Sequence, residues 1–162
     1  MARPFLADPH WVNKAENGET DRINTCIACN QACLDHTFEN KRSTCLVNPR
    51  ACYETELRYE PAKKVKKVAV IGGGVAGMSA ATVAAERGHQ VTLYEAKDIL
   101  GGQFNYAKVI PGKEEFFETT RYYLNELNHQ GVTIKLNTKV TSEMLDDADY
   151  DHVIVATGVV PR

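Results

Sequence analysis

A glycine-rich turn constrains the fold of this chain more than any other feature of its 162 residues. Gly72, Gly74 and Gly77 follow the apolar run KVAVI and lead into a run of small residues. In a G-x-G-x-x-G pattern, the first glycine makes a tight turn, the second lets the backbone approach a pyrophosphate, and the third lets a helix press against a strand. The pattern predicts a dinucleotide-binding turn between a strand and a helix.

An acidic residue stands where such a turn requires one. Glu95 follows the next apolar run, QVTLY, and lies 18 residues after Gly77. A carboxylate at this point can accept hydrogen bonds from both ribose hydroxyls, and it would repel a 2′-phosphate. The glycine turn and Glu95 together predict a site for FAD or NAD rather than for NADP.

Strand-like and helix-like segments alternate through the second half of the chain. We predict strands in KVAVIGG, HQVTLYEA, VTIKLNTKV and DHVIVATG, a helix in AGMSAATVAAERG, and a second helix from the PGKEE segment to Gly131. This alternation predicts an α/β fold with a parallel, Rossmann-like sheet. We therefore divide the chain into residues 1–21, which hold one short helix and too few apolar side chains for a core, a loop-rich segment at 22–60, and a nucleotide-binding domain at 61–162.

Two later segments favour FAD over NAD. Gly101, Gly102 and Gln103 look like the Gly-Gly loop that follows the acidic residue in flavoproteins with two dinucleotide-binding domains. Ala156, Thr157 and Gly158 resemble the strand end that such proteins bring back against FAD before the chain crosses to its NAD(P)H domain. We expect these residues to contact FAD.

Four cysteines are crowded ahead of the sheet. They follow the pattern Cys26-x2-Cys29-x3-Cys33-x11-Cys45. Without an export signal, metal binding or redox chemistry is favoured over a disulfide framework. Four thiolates of which three lie close together favour a [4Fe-4S] cluster, and structural zinc is the alternative. Cys52 lies outside the set, and we expect it to be a small buried residue.

Composition excludes two classes of partner. The formal net charge of −2 gives no general attraction for nucleic acid, and the basic run at 63–67 reads as a solvated linker. No apolar run approaches the roughly 20 residues that cross a bilayer, and the N-terminus lacks the features of a leader peptide. We therefore expect a cytoplasmic protein with no membrane or nucleic-acid partner.

Several segments resemble one known family. MARPFLADP, INTCIACNQACLDHTF, CLVNPRACYE and GGQFNYAKVIPGKEEFFETTRYYLNEL are similar to the NADH:flavin oxidoreductase (old yellow enzyme-like) family, and within it to NADPH-dependent 2,4-dienoyl-CoA reductases. The resemblance covers essentially the whole chain. It implies that MARPFLADP follows an FMN-binding (β/α)8 barrel, with Ala2 and Arg3 near the FMN phosphate, and that the barrel and an NADPH domain are the missing partners, on the same or a separate chain.

The resemblance also implies site residues and an activity. The cluster ligands would be the four cysteines, and the FAD contacts would be Gly72, Gly74, Ala76, Gly77, Glu95, Gly102, Gln103, Lys113 and Val140. The complete enzyme would pass electrons from NADPH through FAD, the cluster and FMN to a dienoyl-CoA in fatty-acid β-oxidation. We expect this chain to be the relay part alone, inactive on substrate unaided, and we assign no catalytic residue.

Three alternatives remain open. An amine dehydrogenase-like relative, such as trimethylamine dehydrogenase, holds ADP rather than FAD, but retention of GGQFNYAKVIPGK favours the reductase. A glutamate synthase small subunit ends its cysteine run in Cys-Pro, whereas Leu46 follows Cys45 here. A protein of another class, a zinc-stabilised nucleotide-binding module without redox activity, would use the same residues.

Overall fold

The computed structural model describes residues 2–159 and divides the chain into two compact units. We call Met1–Arg58 with Lys108–Tyr122 the cysteine unit, and Tyr59–Ala107 with Tyr123–Arg162 the sheet unit. The predicted domain boundaries at 21/22 and 60/61 stay predictions. None of the helices in the described part of the chain is long and apolar enough to cross a membrane.

The cysteine unit begins with short helices held by a buried charge. Its elements are α1 (Arg3–Ala7), α2 (Trp11–Glu16), a 3-10 turn (Thr20–Arg22), a π-turn (Gln31–Asp35) and α3 (His36–Phe38). Asp8 is 4% exposed, accepts the Lys14 ammonium at 2.7 Å, and also accepts the backbone N–H groups of His10 and Asn24. Asp8 thereby ties the first helices to the chain that leads into Cys26.

The sheet unit contains four parallel strands. In chain order they are β1 (Lys67–Ile71), β2 (Gln90–Tyr94), β3 (Thr133–Lys135) and β4 (His152–Val155), and their order in the sheet is β3-β2-β1-β4. β1 lies between β2 and β4, and its three middle residues, Val68, Ala69 and Val70, are buried, as expected for an apolar strand with neighbours on both sides. The predicted mixed α/β fold with a parallel sheet is confirmed.

Helix α4 (Val75–Glu86) packs closely on this sheet because its buried face is small. Met78, Ala81 and Thr82 are buried, and a Cβ added to Gly77 would lie 1.8 Å from the Gly72 carbonyl oxygen. Gly88, with φ +92°, ends the segment as predicted.

The remaining helices are α5 (Phe104–Ala107), α6 (Phe116–His129) and α7 (Ser142–Asp146). We predicted a helix from the PGKEE segment, but α6 begins only at Phe116, because Gly112 has φ +83° and its N–H donates to the Glu114 carboxylate in a turn. β3 is also shorter than predicted and ends before Asn137, which has φ 52°. Helix α7, whose N-cap Thr141 accepts the Met144 N–H, was not predicted.

We predict that Gly77→Ala destabilises the fold by at least about 2 kcal/mol, because a methyl group there overlaps main chain that cannot rotate away. Gly74→Ala is the matched control: a Cβ at Gly74 meets nothing within 4 Å, and its φ of −71° suits any residue. Its effect should stay below about 1 kcal/mol, from poorer helix capping by alanine. Urea unfolding of the two cofactor-free variants measures both values, and equal losses would contradict the packing argument.

Candidate functional site

The ends of β1 and β4 meet at the glycine turn. Gly72 has φ +110°, and a Cβ there would lie 2.3 Å from the carbonyl oxygen of Ala156. The Ala156 N–H in turn donates to the Ile71 carbonyl at 2.8 Å. The structure thus brings together Gly72, Gly77 and Ala156, three of the residues predicted from sequence.

Gly74 stands at the open mouth of this turn. It is the N-cap of the 12-residue helix α4, and no side chain caps the free N–H groups of the first turn. Because its backbone conformation is ordinary and open space lies where its Cβ would be, nothing within residues 2–159 requires glycine here. A helix N-terminus with such free space is suited to a phosphate group that approaches the main chain.

Glu95 is fixed beside the turn by two backbone donors. Its carboxylate is 8% exposed, and it accepts the Gly73 N–H at 2.7 Å on one oxygen and the Lys97 N–H at 2.8 Å on the other. Each carboxylate oxygen has a second acceptor position. Glu95 is therefore oriented by the main chain and retains the capacity to accept hydroxyl groups.

Sequence reasoning missed Gly73. A Cβ at Gly73 would lie 2.5 Å from the Leu100 side chain and 3.0 Å from Glu95 Oε2, so only glycine allows the carboxylate this close. The signal was the middle glycine of the run Gly72–Gly74, a position that the G-x-G-x-x-G pattern leaves unspecified.

The second glycine loop lies against the first. The Gly101 N–H donates to the Gly73 carbonyl at 2.7 Å, and a Cβ at Gly102 would lie 3.1 Å from the Gly74 Cα. Asn105 holds the loop by donating to the Leu100 carbonyl at 2.9 Å. Both loops predicted from sequence therefore lie side by side in the sheet unit.

The end of the described chain returns to this second loop. Gln103 Nε2 donates to the Val159 carbonyl at 2.6 Å. Thr157 and Gly158, between Ala156 and this contact, are exposed, and Gly158 has φ +72°. The 156–159 segment is thus held at both ends beside the two glycine loops.

The other sequence-predicted residues lie elsewhere. Ala76 is exposed in the first turn of α4, and Val140 is half-buried ahead of α7. Lys113 belongs to the cysteine unit, where its ammonium lies 5.4 Å from the centre of the Phe116 ring. Ala2 and Arg3 belong to the same unit, and Arg3 lines a cavity of about 380 Å³ together with Cys33. Their assignments stay predictions.

Three of the four clustered cysteines surround one small core. Cys26, Cys29 and Cys45 are half-buried and pack against Ala7, Ile27 and Val47. Burial raises the pKa of the Cys45 thiol, and the nearby Cys26 and Cys29 thiols raise it further, whereas the N–H groups of Val47 and Asn48 lower it. These three thiols are therefore close enough to influence one another.

Cys33 is tied to the Cys45 side of the loop through main chain. The Thr44 N–H donates to the Ala32 carbonyl at 2.8 Å, and the Ser43 hydroxyl donates to the Cys33 carbonyl at 3.2 Å. The first bond joins the residue before Cys33 to the residue before Cys45, and the second joins Cys33 itself to the residue two positions before Cys45. All four cysteines are free thiols.

The thiols do not converge on one ion position. Within residues 2–159, no group of three or more His, Cys, Asp or Glu side chains could hold a single metal ion. A structural zinc site needs four donors within about 2.3 Å of one ion. A four-iron cluster is larger than one ion and would hold its four thiolates further apart, around the cluster.

The interpretation of Cys52 as a buried residue is wrong. Its side chain is exposed and its φ is 63°, a left-handed conformation. The Cys52 N–H donates to Glu54 Oε1 at 3.0 Å, so the chain turns back on itself and directs this side chain outward.

Arg121 anchors the chain ahead of Cys26, which sequence reasoning also missed. Its guanidinium donates to the carbonyl groups of Asp21 and Ile23, the latter at 2.7 Å. Glu118 accepts both Arg121 Nε at 2.8 Å and the Thr25 hydroxyl at 3.3 Å. One turn of α6 thereby fixes the main chain that enters the cysteine set.

One protein family matches the larger part of the chain. The family described as pyridine nucleotide-disulphide oxidoreductase matches residues 66–162, which include the glycine turn, Glu95 and the 156–158 segment.

Relatives extend this likeness over the cysteine unit. A metal reductase of Desulforamulus reducens is 42% identical over 165 residues, which cover 99% of this chain and 25% of that protein. The structure of a 2-naphthoyl-CoA reductase with 2-naphthoyl-CoA is 39% identical, with a TM-score of 0.97 over 100% of this chain and 25% of that one. Histamine dehydrogenase from Rhizobium sp. 4-9 is 30% identical, with a TM-score of 0.90 over 100% of this chain and 24% of that one. This chain therefore spans about a quarter of the length of these relatives.

We predict that Arg121→Ala destabilises the cysteine unit by about 1–3 kcal/mol, because the charged guanidinium no longer donates to the Ile23 carbonyl and to Glu118. Arg121→Lys should recover less than half of the lost stability, because an ammonium group lacks the planar, forked set of N–H donors of a guanidinium. Arg42→Ala is the control, because Arg42 pairs with Glu56 at an exposed position where such pairs contribute less than about 1 kcal/mol. Urea unfolding measures the free energy of unfolding of each variant. An equal loss of stability in the two alanine variants would contradict the role of Arg121 as an anchor.

Proposed function

The chain belongs to the pyridine nucleotide-disulphide oxidoreductase family, and we propose that it is the part of a larger flavoprotein oxidoreductase that holds FAD and a [4Fe-4S] cluster. The observation that carries the proposal is Gly74, a glycine that faces open space between a free helix N-terminus and the fixed carboxylate of Glu95. A bound dinucleotide explains why glycine stands there.

The geometry of the sheet unit supports FAD as the dinucleotide. The pyrophosphate would lie over Gly74 and the first turn of α4, and the ribose hydroxyls would donate to Glu95. Gly102 and Gln103 would cover the pyrophosphate and flavin side, and Ala156, Thr157 and Gly158 would lie against FAD from the end of β4. Lys113 and Val140 are further proposed contacts.

The donor set of the cysteine unit supports the cluster. Four free thiols are gathered by a common core and by two bonds between the segments of Cys33 and Cys45. Cys26, Cys29, Cys33 and Cys45 would each bind one iron. Because four free thiols suit a reducing compartment, we also propose that the protein is cytoplasmic.

Together the two groups define a relay. When bound, FAD exchanges a pair of electrons with a nicotinamide and the cluster carries electrons singly, so the chain would link a two-electron donor to a one-electron path. The proposed partners are an NADPH domain and an FMN-binding barrel, whose phosphate Ala2 and Arg3 would approach. They would lie on the same or a separate chain.

We further propose that the complete protein reduces an unsaturated acyl-CoA, with a 2,4-dienoyl-CoA in fatty-acid β-oxidation as the first candidate. The likeness to a 2-naphthoyl-CoA reductase supports a thioester substrate, and the likeness to histamine dehydrogenase supports amine oxidation as the second candidate. An oxygen-free assay with the barrel and the NADPH domain supplied separates them. Oxidation of amines without reduction of a dienoyl-CoA would overturn the first.

We predict that Gly74→Ala weakens FAD binding at least roughly tenfold, because its methyl group would occupy the space of the pyrophosphate. Calorimetric titration of the cofactor-free chain with FAD measures the change. Gly131→Asn is the matched control, since Gly131 ends α6 at φ +70° with nothing within 4 Å, and asparagine tolerates that conformation. Unchanged FAD affinity in Gly74→Ala would contradict a dinucleotide site at this turn.

We predict that the chain purified without oxygen is brown and holds about four irons and about four sulfides. Serine at Cys26, Cys29, Cys33 or Cys45 should lower the iron content and bleach the visible band. The Cys52→Ser variant should keep both, because Cys52 is exposed and outside the set. A colourless protein with one zinc per chain would instead support the non-redox nucleotide-binding module.

A further inference from the structure

The sign of φ alternates along the main chain around Cys29. Ala28 has φ 53° and Asn30 has φ 58°, whereas Cys29 between them has a negative φ. Asparagine visits the left-handed region readily, but alanine does so against the steric clash of its Cβ. Successive residues of opposite hand turn their N–H groups toward the same side and form a concavity that binds anions.

The N–H groups of this segment have no acceptor in the described part of the chain. From Ile27 to Cys33, none donates to an acceptor within residues 2–159, whereas the Asn24 N–H before the segment and the Leu34 N–H after it are both bonded. Ile27 and Ala32 are buried, at 9% and 6% exposure. Because buried donors are normally satisfied, the N–H groups of Ile27 and Ala32 are suited to an acceptor that the described chain does not supply. Ala28, Asn30 and Gln31 are exposed, so their N–H groups are open to the same acceptor or to water.

The surrounding chemistry limits what that acceptor is. The segment contains two of the four clustered cysteines, Cys29 and Cys33, directly follows a third, Cys26, and contains no acidic side chain. On the far side of the set, the N–H groups of Val47 and Asn48 approach the Cys45 sulfur. Among acceptors that can carry negative charge, the cysteine sulfur atoms are therefore the ones closest in sequence to these N–H groups.

We propose that the N–H groups of the 27–33 segment form a concavity that donates hydrogen bonds to the sulfurs of the [4Fe-4S] cluster and raises its reduction potential. This inference rests on the proposed function. Hydrogen bonds to cluster sulfurs stabilise the more negative, reduced form, because a charged acceptor binds a donor more strongly. Ala28 sets the potential through the shape of its backbone and not through its side chain.

Removal of one N–H tests the proposal without a change of side chain. Lactic acid in place of Ala28, introduced during translation, exchanges the N–H for an oxygen. We expect the ratio of reduced to oxidised cluster at a fixed potential to fall roughly tenfold, which is about 59 mV for one electron. Redox titration followed by electron paramagnetic resonance measures the ratio, with iron counted in each sample.

Two further variants distinguish an effect of backbone conformation on the potential from a general loss of structure. Ala28→Gly keeps the left-handed turn and should keep the wild-type potential, whereas Ala28→Val opposes that turn and should lower the potential or release iron. Lactic acid in place of Ala62, whose N–H donates to the Arg87 carbonyl in the sheet unit, should leave the potential unchanged.

The outcomes distinguish this inference from the proposed function. If the unmodified chain binds no iron and sulfide, the cluster assignment itself fails. If it binds both, and the lactic acid variant at Ala28 keeps the full iron content and the wild-type potential, the donors bind water and the inference is wrong. Loss of iron from the lactic acid variant, with iron retained in Ala28→Gly, supports the inference, because only an N–H has been removed.

Discussion

The contact between Gly77 and the Gly72 carbonyl is the constraint on which the sheet unit depends. It lets helix α4 lie directly on β1, and the second constraint, the approach of Gly72 to the Ala156 carbonyl, draws the end of β4 to the same point. Neither contact leaves room for a methyl group. The free N–H groups of α4, the end of β4 and the fixed carboxylate of Glu95 consequently share one surface, which the second glycine loop completes.

The cysteine unit is held together in a different way. Its cysteines pack on a core of Ala7, Ile27 and Val47, which is too small to define a loop of this length. Polar contacts hold the unit together to a greater extent. The buried Asp8 accepts hydrogen bonds from Lys14 and from two N–H groups, and Arg121 donates to the main chain that leads into Cys26. Loss of one partner from such a buried pair leaves a charge without compensation. In a segment built this way, the free energy of binding a cluster would also be free energy of folding.

The parts of the fold that the sequence predicted are those governed by local rules. The glycine turn, the parallel strands and helix α4 follow from spacing and from the missing side chain at Gly77. Contacts from distant segments could not be predicted: Gly73 is required by Leu100 and Glu95, and Arg121 reaches carbonyls about 100 residues earlier in the chain. The late start of α6 and the exposure of Cys52 depend on single turns, at Gly112 and at Cys52 itself, that helical or apolar patterning does not reveal.

Both proposed sites would bind a negatively charged group through main-chain N–H donors. At the sheet, a pyrophosphate would be received by the free N–H groups of α4, and at the cysteines, a cluster would be received by the N–H groups around Ala28. Main-chain donors need no excess of lysine and arginine, which agrees with a net charge of −2. The specificity of each site then depends on the conformation of the backbone. The critical positions are therefore Gly74 and Ala28, whose contribution is the conformation or the space that they allow and not a functional group that they carry.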